Sequence, residues 1–280
     1  MSAKLKKTDR ISYQIAAALP LMLCLVFVFL PIAIMVVSSL KTDYDIMAGI
    51  FTVPQRLHFE GYAIAWGEVL RPMLNSIVVA LVGAFFNMVL AAVIAYIFAR
   101  KQFLFKEVFF MMYIAILLVP AVMGMPVLYD FASRVGLVDS YFGIWLPVIA
   151  GGQAGALFLF RTFFQQQPDS VYESAKMDGA NDASVFVFIV VPLALPILLL
   201  NFTGTFVAQY NDFLWPSLVL KSQEKLTLIP ILQRMSARYV TRNLSVPYAV
   251  YVMAALPLTV TTVLTLKYFQ GGDFAAGMKL

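Results

Sequence analysis

Pro168-Asp-Ser-Val-Tyr-Glu-Ser-Ala-Lys-Met-Asp-Gly-Ala180 is a polar interruption between two long apolar runs, and its folding decides how those runs are joined. Ser170 and Glu173 have the S-x-x-E spacing of a capping box, in which each side chain satisfies a free amide at a helix start. Gly179 suits the left-handed residue that ends a helix. The spacing therefore predicts about two turns of helix. Asp182 or Ser184 suits the N-cap of the helix that follows. A short helix, a tight turn and a long helix make a lever: a partner that grips the first can move the last. A capping pattern is by itself weak, and a plain capped loop helix fits it equally well.

Outward from this stretch the chain is apolar. Its 280 residues are 61% hydrophobic and 12% charged, with a mean hydropathy of +0.85. An ordinary soluble domain is about 25% charged, so much of this surface must face lipid. A spanning helix needs about 20 mainly apolar residues. Six runs qualify, at 15–40, 74–98, 108–129, 141–160, 185–210 and 248–266. They predict an all-α membrane protein of six transmembrane helices forming one domain over 1–280, with a polar loop at 161–184 between the fourth and fifth runs. The runs are continuous rather than alternating, which excludes β-barrel strands. Pro31, Pro120, Pro126, Pro192, Pro196 and Pro257 fall inside them, as bilayer helices tolerate. In the second run Ser76, Ala80, Gly83, Asn87 and Ala91 form a stripe of small residues suited to close helix approach.

The first apolar run is longer than a signal core and has no clear cleavage site, so it reads as a retained helix. Four of the first ten residues are basic (Lys4, Lys6, Lys7, Arg10), which favours a cytoplasmic N-terminus and, with six spans, a cytoplasmic C-terminus. Lys and Arg counted over all loops nearly balance. The net charge of +5 reports topology and contact with membrane lipids; there is no basic stripe with interleaved aromatics to suggest nucleic acid. Cys24 is the single cysteine and His58 the single histidine, which excludes an internal disulfide and the common zinc and triad sites. No paired-Asp, H-E-x-x-H or G-x-S-x-G pattern suggests an intramembrane enzyme. Gly271-Gly-Asp-Phe274 resembles the start of a cyclase signature but has no domain around it.

The polar stretch resembles the EAA loop of ATP-binding-cassette importer permeases, E-A-A-x-x-D-G-A followed by spaced F, I, P and P. Glu173, Ala175, Asp178, Gly179, Ala180, Phe186, Ile189, Pro192 and Pro196 stand in register, and Ser174 replaces the usual second Ala. Tyr210-Asn-Asp-Phe-Leu-Trp-Pro216 is similar to the W-N-x-F-L-W-P signature of the carbohydrate-type group, the maltose and glycerol-phosphate permeases, with Tyr210 for Trp. The tail Lys267–Lys279 resembles that group's tail. The resemblance covers essentially the whole chain. It implies the type I importer permease fold in a bacterial inner membrane, with the EAA loop cytoplasmic. It implies that Glu173, Ser174, Ala175, Asp178, Gly179 and Ala180 dock and couple to a separate ATPase. It further implies an ATPase dimer, a second homologous permease and a soluble substrate-binding protein as partners. The chain is then a transport subunit, not an enzyme. It binds no cofactor itself, ATP and Mg being used by the ATPase; the sequence has no G-x-x-x-x-G-K-[ST] loop of its own.

A transport path needs polar groups facing a cavity. At helical spacing Asn201, Thr205 and Asp212 share one face of the fifth run, flanked by Gln209 and Asn211. Amides and a carboxylate suit sugar hydroxyls, and Tyr210 and Trp215 offer flat faces for sugar C–H groups. Hydrogen bonding between helices and interfacial anchoring are the commoner uses of such residues. The expected cargo is a sugar or sugar-like solute (oligosaccharide, monosaccharide or polyol), with a glycerol-phosphate-type or other small-solute importer as the alternative. An ATP-independent carrier would favour ionisable residues at midplane, and the central turns of the six runs contain none.

Overall fold

The structure is a computed structural model and describes residues 7–239 and 241–270. Lys4, Lys6 and the tail from Gly271 onward, including the Gly271–Phe274 pattern, lie outside the described residues. The described chain is built from helices α1 (Lys7–Ser38), α2 (Asp43–Ala48), α3 (Glu60–Arg100), α4 (Lys106–Ala115), α5 (Ala121–Arg134), α6 (Phe142–Gly151) and α7 (Gln153–Gln166). Then follow α8 (Asp169–Met177), α9 (Asp182–Val185), α10 (Val191–Tyr210), α11 (Leu214–Val219), α12 (Leu228–Arg238) and α13 (Ser245–Gln270). No strand occurs among the described residues.

Four stretches are single helices long and apolar enough to cross a membrane: Ala18–Ser38, Glu60–Arg100, Asp182–Tyr210 and Ser245–Lys267. Two further spans arise if each of two bent pairs counts as one. The first pair, Lys106–Leu118 with Ala121–Arg134, turns through 98°. Pro120 stands at this turn, not inside a continuous helix as the apolar run suggested. It lacks an N–H and disfavours helix at the residue before it, and Val119 is accordingly extended. The second pair, Phe142–Gly151 with Gln153–Gln166, bends by 42° where Gly151 and Gly152 adjoin. Before α10 the backbone widens into a π-helical turn over Phe186–Val190, and the Val191 amide bonds Phe186, five residues back. Pro192, which cannot donate, follows immediately and explains the widened turn.

The chain divides into two compact units. One comprises 1–68 and 234–253. In it Lys41 is fully buried, its ammonium donating to the carbonyls of Gly49 (3.3 Å) and Ile50 (2.9 Å) just after α2. Asp43 accepts the amides of Asn243 and Leu244 at 2.8 and 2.7 Å. A polar hollow is lined by Thr42, Asp43, His58, Glu60, Asn243 and Ser245 among others.

The other unit comprises 69–233 and 254–280. Its core lies where α3, α7, α8 and α10 meet: Ala91, Ala92, Ala95 and Tyr96 pack with Leu157, Phe160, Phe164, Tyr172, Ala194 and Leu198. Alanines on α3 let the neighbouring backbones approach closely, as membrane helices require when burial gives little driving force. The outward residues of α3, α4 and α10, such as Phe85, Met111 and Leu200, are exposed apolar side chains.

Candidate functional site

The segment between α7 and α10 folds into a short helix and a tight turn. Helix α8 starts at Asp169 with Pro168 as N-cap and no side-chain cap. This corrects the capping-box reading of Ser170 and Glu173. The helix begins two residues earlier because Pro168 supplies a fixed φ at the start, and Ser170 is already inside, its carbonyl accepting the Ser174 hydroxyl at 2.8 Å. The far end is as the glycine predicts. Gly179 has φ +81°, its amide bonds Lys176, and Ala180 bonds Ala175, both at 3.0 Å. These two bonds form a Schellman motif. The next helix is capped by Asn181, whose side chain accepts the Ser184 amide at 2.8 Å. Neither Asp182 nor Ser184 is the cap.

Helix α8 is two-faced. Tyr172 and Ala175, three residues apart, are buried in the core, while Glu173, Ser174, Met177, Asp178 and Gly179 are exposed. Met177 is 88% exposed. Of the residues expected to couple, four thus lie on one outward surface. Ala180 is half-buried, and Ala175 faces inward, where its small side chain lets α8 lie close to the helices beneath.

Two basic residues that the sequence marked only as topology signals hold this segment. Arg100 ends α3. Its guanidinium donates to the Asp169 carboxylate and to the carbonyls of Phe164 (2.5 Å) and Gln167 (2.7 Å), and sits 3.8 Å from the Tyr172 ring centre. The Tyr172 hydroxyl donates to Gln167. Burial raises the Tyr172 pKa, against an opposing pull from Arg100. Lys101 pairs with Asp182. A second arginine, Arg161 of α7, bonds Glu107 of α4 at 2.6 Å and stacks 3.8 Å from the Phe110 ring centre. A lone Arg after an apolar run carries no sign of such partners.

The expected substrate face is only partly assembled. Asn201 and Thr205 lie on α10, but α10 ends at Tyr210, so Asp212 does not continue their face. Periodicity read past the helix end produced that grouping. Burial pushes the Asp212 carboxyl up, opposed by the amides of Trp215 and Leu214. Asn211 is exposed and its amide folds back to the Val207 carbonyl at 2.9 Å. Tyr210 is buried, stacked on Phe206 with ring centres 5.9 Å apart, and donates to the Ala254 carbonyl at 3.1 Å. Trp215 is buried and donates to the Gly143 carbonyl at 2.9 Å. Both aromatics are packing residues here, not free faces for a sugar.

Buried amides mark the interior instead. Both amide atoms of Gln209, and Oδ1 of Asn201 and Asn87, are buried without a hydrogen-bond partner. Nδ2 of Asn87 donates to the Val148 carbonyl at 2.9 Å, near the break in the fourth span. Gln153 accepts the Tyr113 hydroxyl at 2.8 Å. Polar atoms buried without partners are costly.

Residues 88–271 match the family described as the inner membrane component of binding-protein-dependent transport systems. The chain is 30% identical over 259 residues to the diacetylchitobiose uptake system permease protein NgcG of Streptomyces coelicolor, covering 92% of this chain and 84% of that one. It is 28% identical over 273 residues to the arabinooligosaccharides transport system permease protein AraQ of Bacillus subtilis, covering 95% and 96%. In fold it is similar to a chain of a bacterial ABC transporter involved in import of the acidic polysaccharide alginate, with a TM-score of 0.81 at 22% identity over 96% of this chain and 100% of that one.

Proposed function

This chain belongs to the inner-membrane components of binding-protein-dependent transport systems, a multi-pass transport subunit and not an ATPase, and from that premise we propose that it carries sugars inward. The observation that carries the proposal is the outward surface of α8: Glu173, Ser174, Met177, Asp178 and Gly179 displayed on a helix whose other face is locked into the core. That surface is the docking site for an ATPase subunit. Two ATPase copies, a second homologous permease and a soluble binding protein complete the assembly. ATP and Mg act in the ATPase; this chain contributes the path and the lever. The N- and C-termini and the 161–184 loop face the cytoplasm, and the hollow around Asp43, His58 and Asn243 faces the binding protein.

The cargo is a neutral sugar. Relatives named for diacetylchitobiose and arabinooligosaccharides support this. So does the path itself: Asn201, Thr205 and Gln209 offer amide and hydroxyl partners for sugar hydroxyls, and the central turns of the spans supply no Arg or Lys for an anion. Asn211 and Asp212 lie beyond the helix end, where they would meet the solute at the outer mouth.

The test is purification of the tagged chain from its host in mild detergent, with co-purifying proteins identified by mass spectrometry, beside a Gly179→Pro variant. An ATPase and a second permease accompany the wild type, and the ATPase is lost from the variant. Uptake of a labelled panel of neutral oligosaccharides into cells, abolished by deleting this chain, identifies the cargo. A chain that purifies alone and whose deletion leaves all sugar uptake unchanged refutes the proposal.

A further inference from the structure

Helix α8 is joined to the rest of its unit by more than its own chain ends. The consecutive residues Arg100 and Lys101, at the end of α3, reach the two ends of the 169–182 segment. Arg100 takes the front: Asp169, the first residue of α8, together with the last carbonyls of α7. Lys101 takes the back: Asp182, the first residue of α9. We propose that this pair is a transmission clamp that makes α3 follow the ATPase-docking segment, carrying its displacement to the loop at 221–228. The inference rests on the reading of α8 as the docking element.

The chemistry of the two residues suits unequal tasks. The Arg100 side chain is 14% exposed. Its planar fork meets carbonyls left free at a helix C-terminus, where the helix dipole also favours a cation, and its flat face covers Tyr172. This is a fixed joint. The Lys101–Asp182 pair is partly exposed, at 37% and 52%. Such pairs add little stability, so holding α9 in register with α3 is the more telling role of this one.

Nearer its start α3 is tied to the 221–228 loop. Arg71 pairs with Glu224 at 3.0 Å. The Asn75 amide donates to the carbonyls of Glu224 (2.8 Å) and Leu226 (3.0 Å). Ser76 accepts the Leu228 amide at 2.7 Å. From Val69 to Arg100 the helix runs ~48 Å at its usual rise. Its one proline, Pro72, lies near the start of that length, so the remainder lacks the commonest cause of a kink. An uninterrupted helical stretch fastened to the docking segment at Arg100 and to the 221–228 loop at residues 71–76 transmits motion between them.

The experiment uses the purified complex of this chain with its ATPase and second permease in lipid nanodiscs. Cys24, the single cysteine, is replaced (Cys24→Ser), and the exposed Lys221 carries the label site (Lys221→Cys). The readouts are retained ATPase subunit, ATP hydrolysis, and the change in fluorescent-maleimide labelling rate on adding Mg-ATP with vanadate. In the parent the nucleotide changes the labelling rate. In Lys101→Glu the ATPase stays bound and hydrolyses ATP, but the nucleotide-dependent change shrinks at least about fivefold, the low end of ordinary coupling between sites. The swap Lys101→Glu with Asp182→Lys restores it. The proposal is overturned if the parent shows no change, if Lys101→Glu keeps the full change, or if the swap fails to recover it. Loss of the ATPase from Lys101→Glu also overturns it, since the pair would then belong to the docking surface. Absence of the ATPase from the parent is seen at purification and refutes the docking reading itself.

Discussion

The side-chain amide of Gln209, on α10, fills the space that a Cβ would take at Gly83 on α3. The contact brings a backbone against an amide whose nitrogen and oxygen are both buried without partners. Gly83→Ala must push that amide aside, an overpacking that costs about 1–3 kcal/mol. Gln209→Ala removes the obstacle, so the double variant is more stable than the sum of the singles implies. Thermal unfolding of the four proteins in detergent checks this; additive effects would refute the contact. If Gln209 also meets the solute, Gln209→Ala lowers sugar uptake while Gly83→Ala with Gln209→Ala does not restore it.

Arg100 and Tyr172 form a stacked pair that a lysine cannot reproduce. Arg100→Lys keeps the charge but loses the planar fork that spans Phe164, Gln167 and Asp169. The expected loss is about 1–3 kcal/mol, the usual cost of leaving buried hydrogen-bonding groups unmade. Tyr172→Phe keeps the ring under the guanidinium and loses only the hydroxyl bond to Gln167, so its cost is smaller. Differential scanning fluorimetry of the two variants should rank them in that order.

Much of this was legible in the residues, for reasons that differ along the chain. The long apolar runs must be helices in lipid, so their existence followed from composition. Gly179 declared its left-handed turn because few other residues accept one. Helix ends were less legible. Pro168 outcompeted Ser170 as the start of α8, and Asn181 outcompeted Asp182 and Ser184, because several residues close together can cap. The grouping of Asp212 with Asn201 failed for the same cause: the pattern does not say where the helix stops. The roles of Arg100, Lys101 and Tyr210 depend on partners 44 to 81 residues away or on burial, which no local pattern encodes. Phe105 takes φ +60° in the turn before α4, a conformation that its side chain disfavours and so does not announce.

The turn at Gly179 separates conformation from space. A Cβ there would meet nothing within 4 Å, so the φ of +81° is the whole reason for glycine. Gly179→Ala should cost about 1 kcal/mol, and Gly179→Asn less, because Asn tolerates the left-handed region better. ATPase retention should follow the same order on affinity purification: wild type, then Asn, then Ala. An Ala variant that retains the ATPase as well as wild type would show that the turn does not shape the docking surface.

Asp139 supplies a pH-dependent fastening between the α5–α6 turn and the 221–225 loop. Its carboxylate accepts the amides of Lys221 (3.0 Å) and Ser222 (2.9 Å), the Ser222 hydroxyl, and the Lys225 ammonium at 3.3 Å. The Ser222 hydroxyl is the largest of the causes that hold its pKa far below the ordinary 3.8. The folded-state value is depressed, so the carboxylate contributes stability above the unfolded value, and that contribution is lost as pH falls from there through the folded value. Asp139 already has φ +58°, which Asn also tolerates, so Asp139→Asn removes the charge without a new backbone penalty. The melting temperature of wild type should exceed that of Asp139→Asn at neutral pH, and the gap should narrow as pH drops below 3.8. Unfolding curves of both proteins in detergent from pH 7 downward make the comparison. A gap that stays constant through that range would mean that the carboxylate's charge does not fasten the loop.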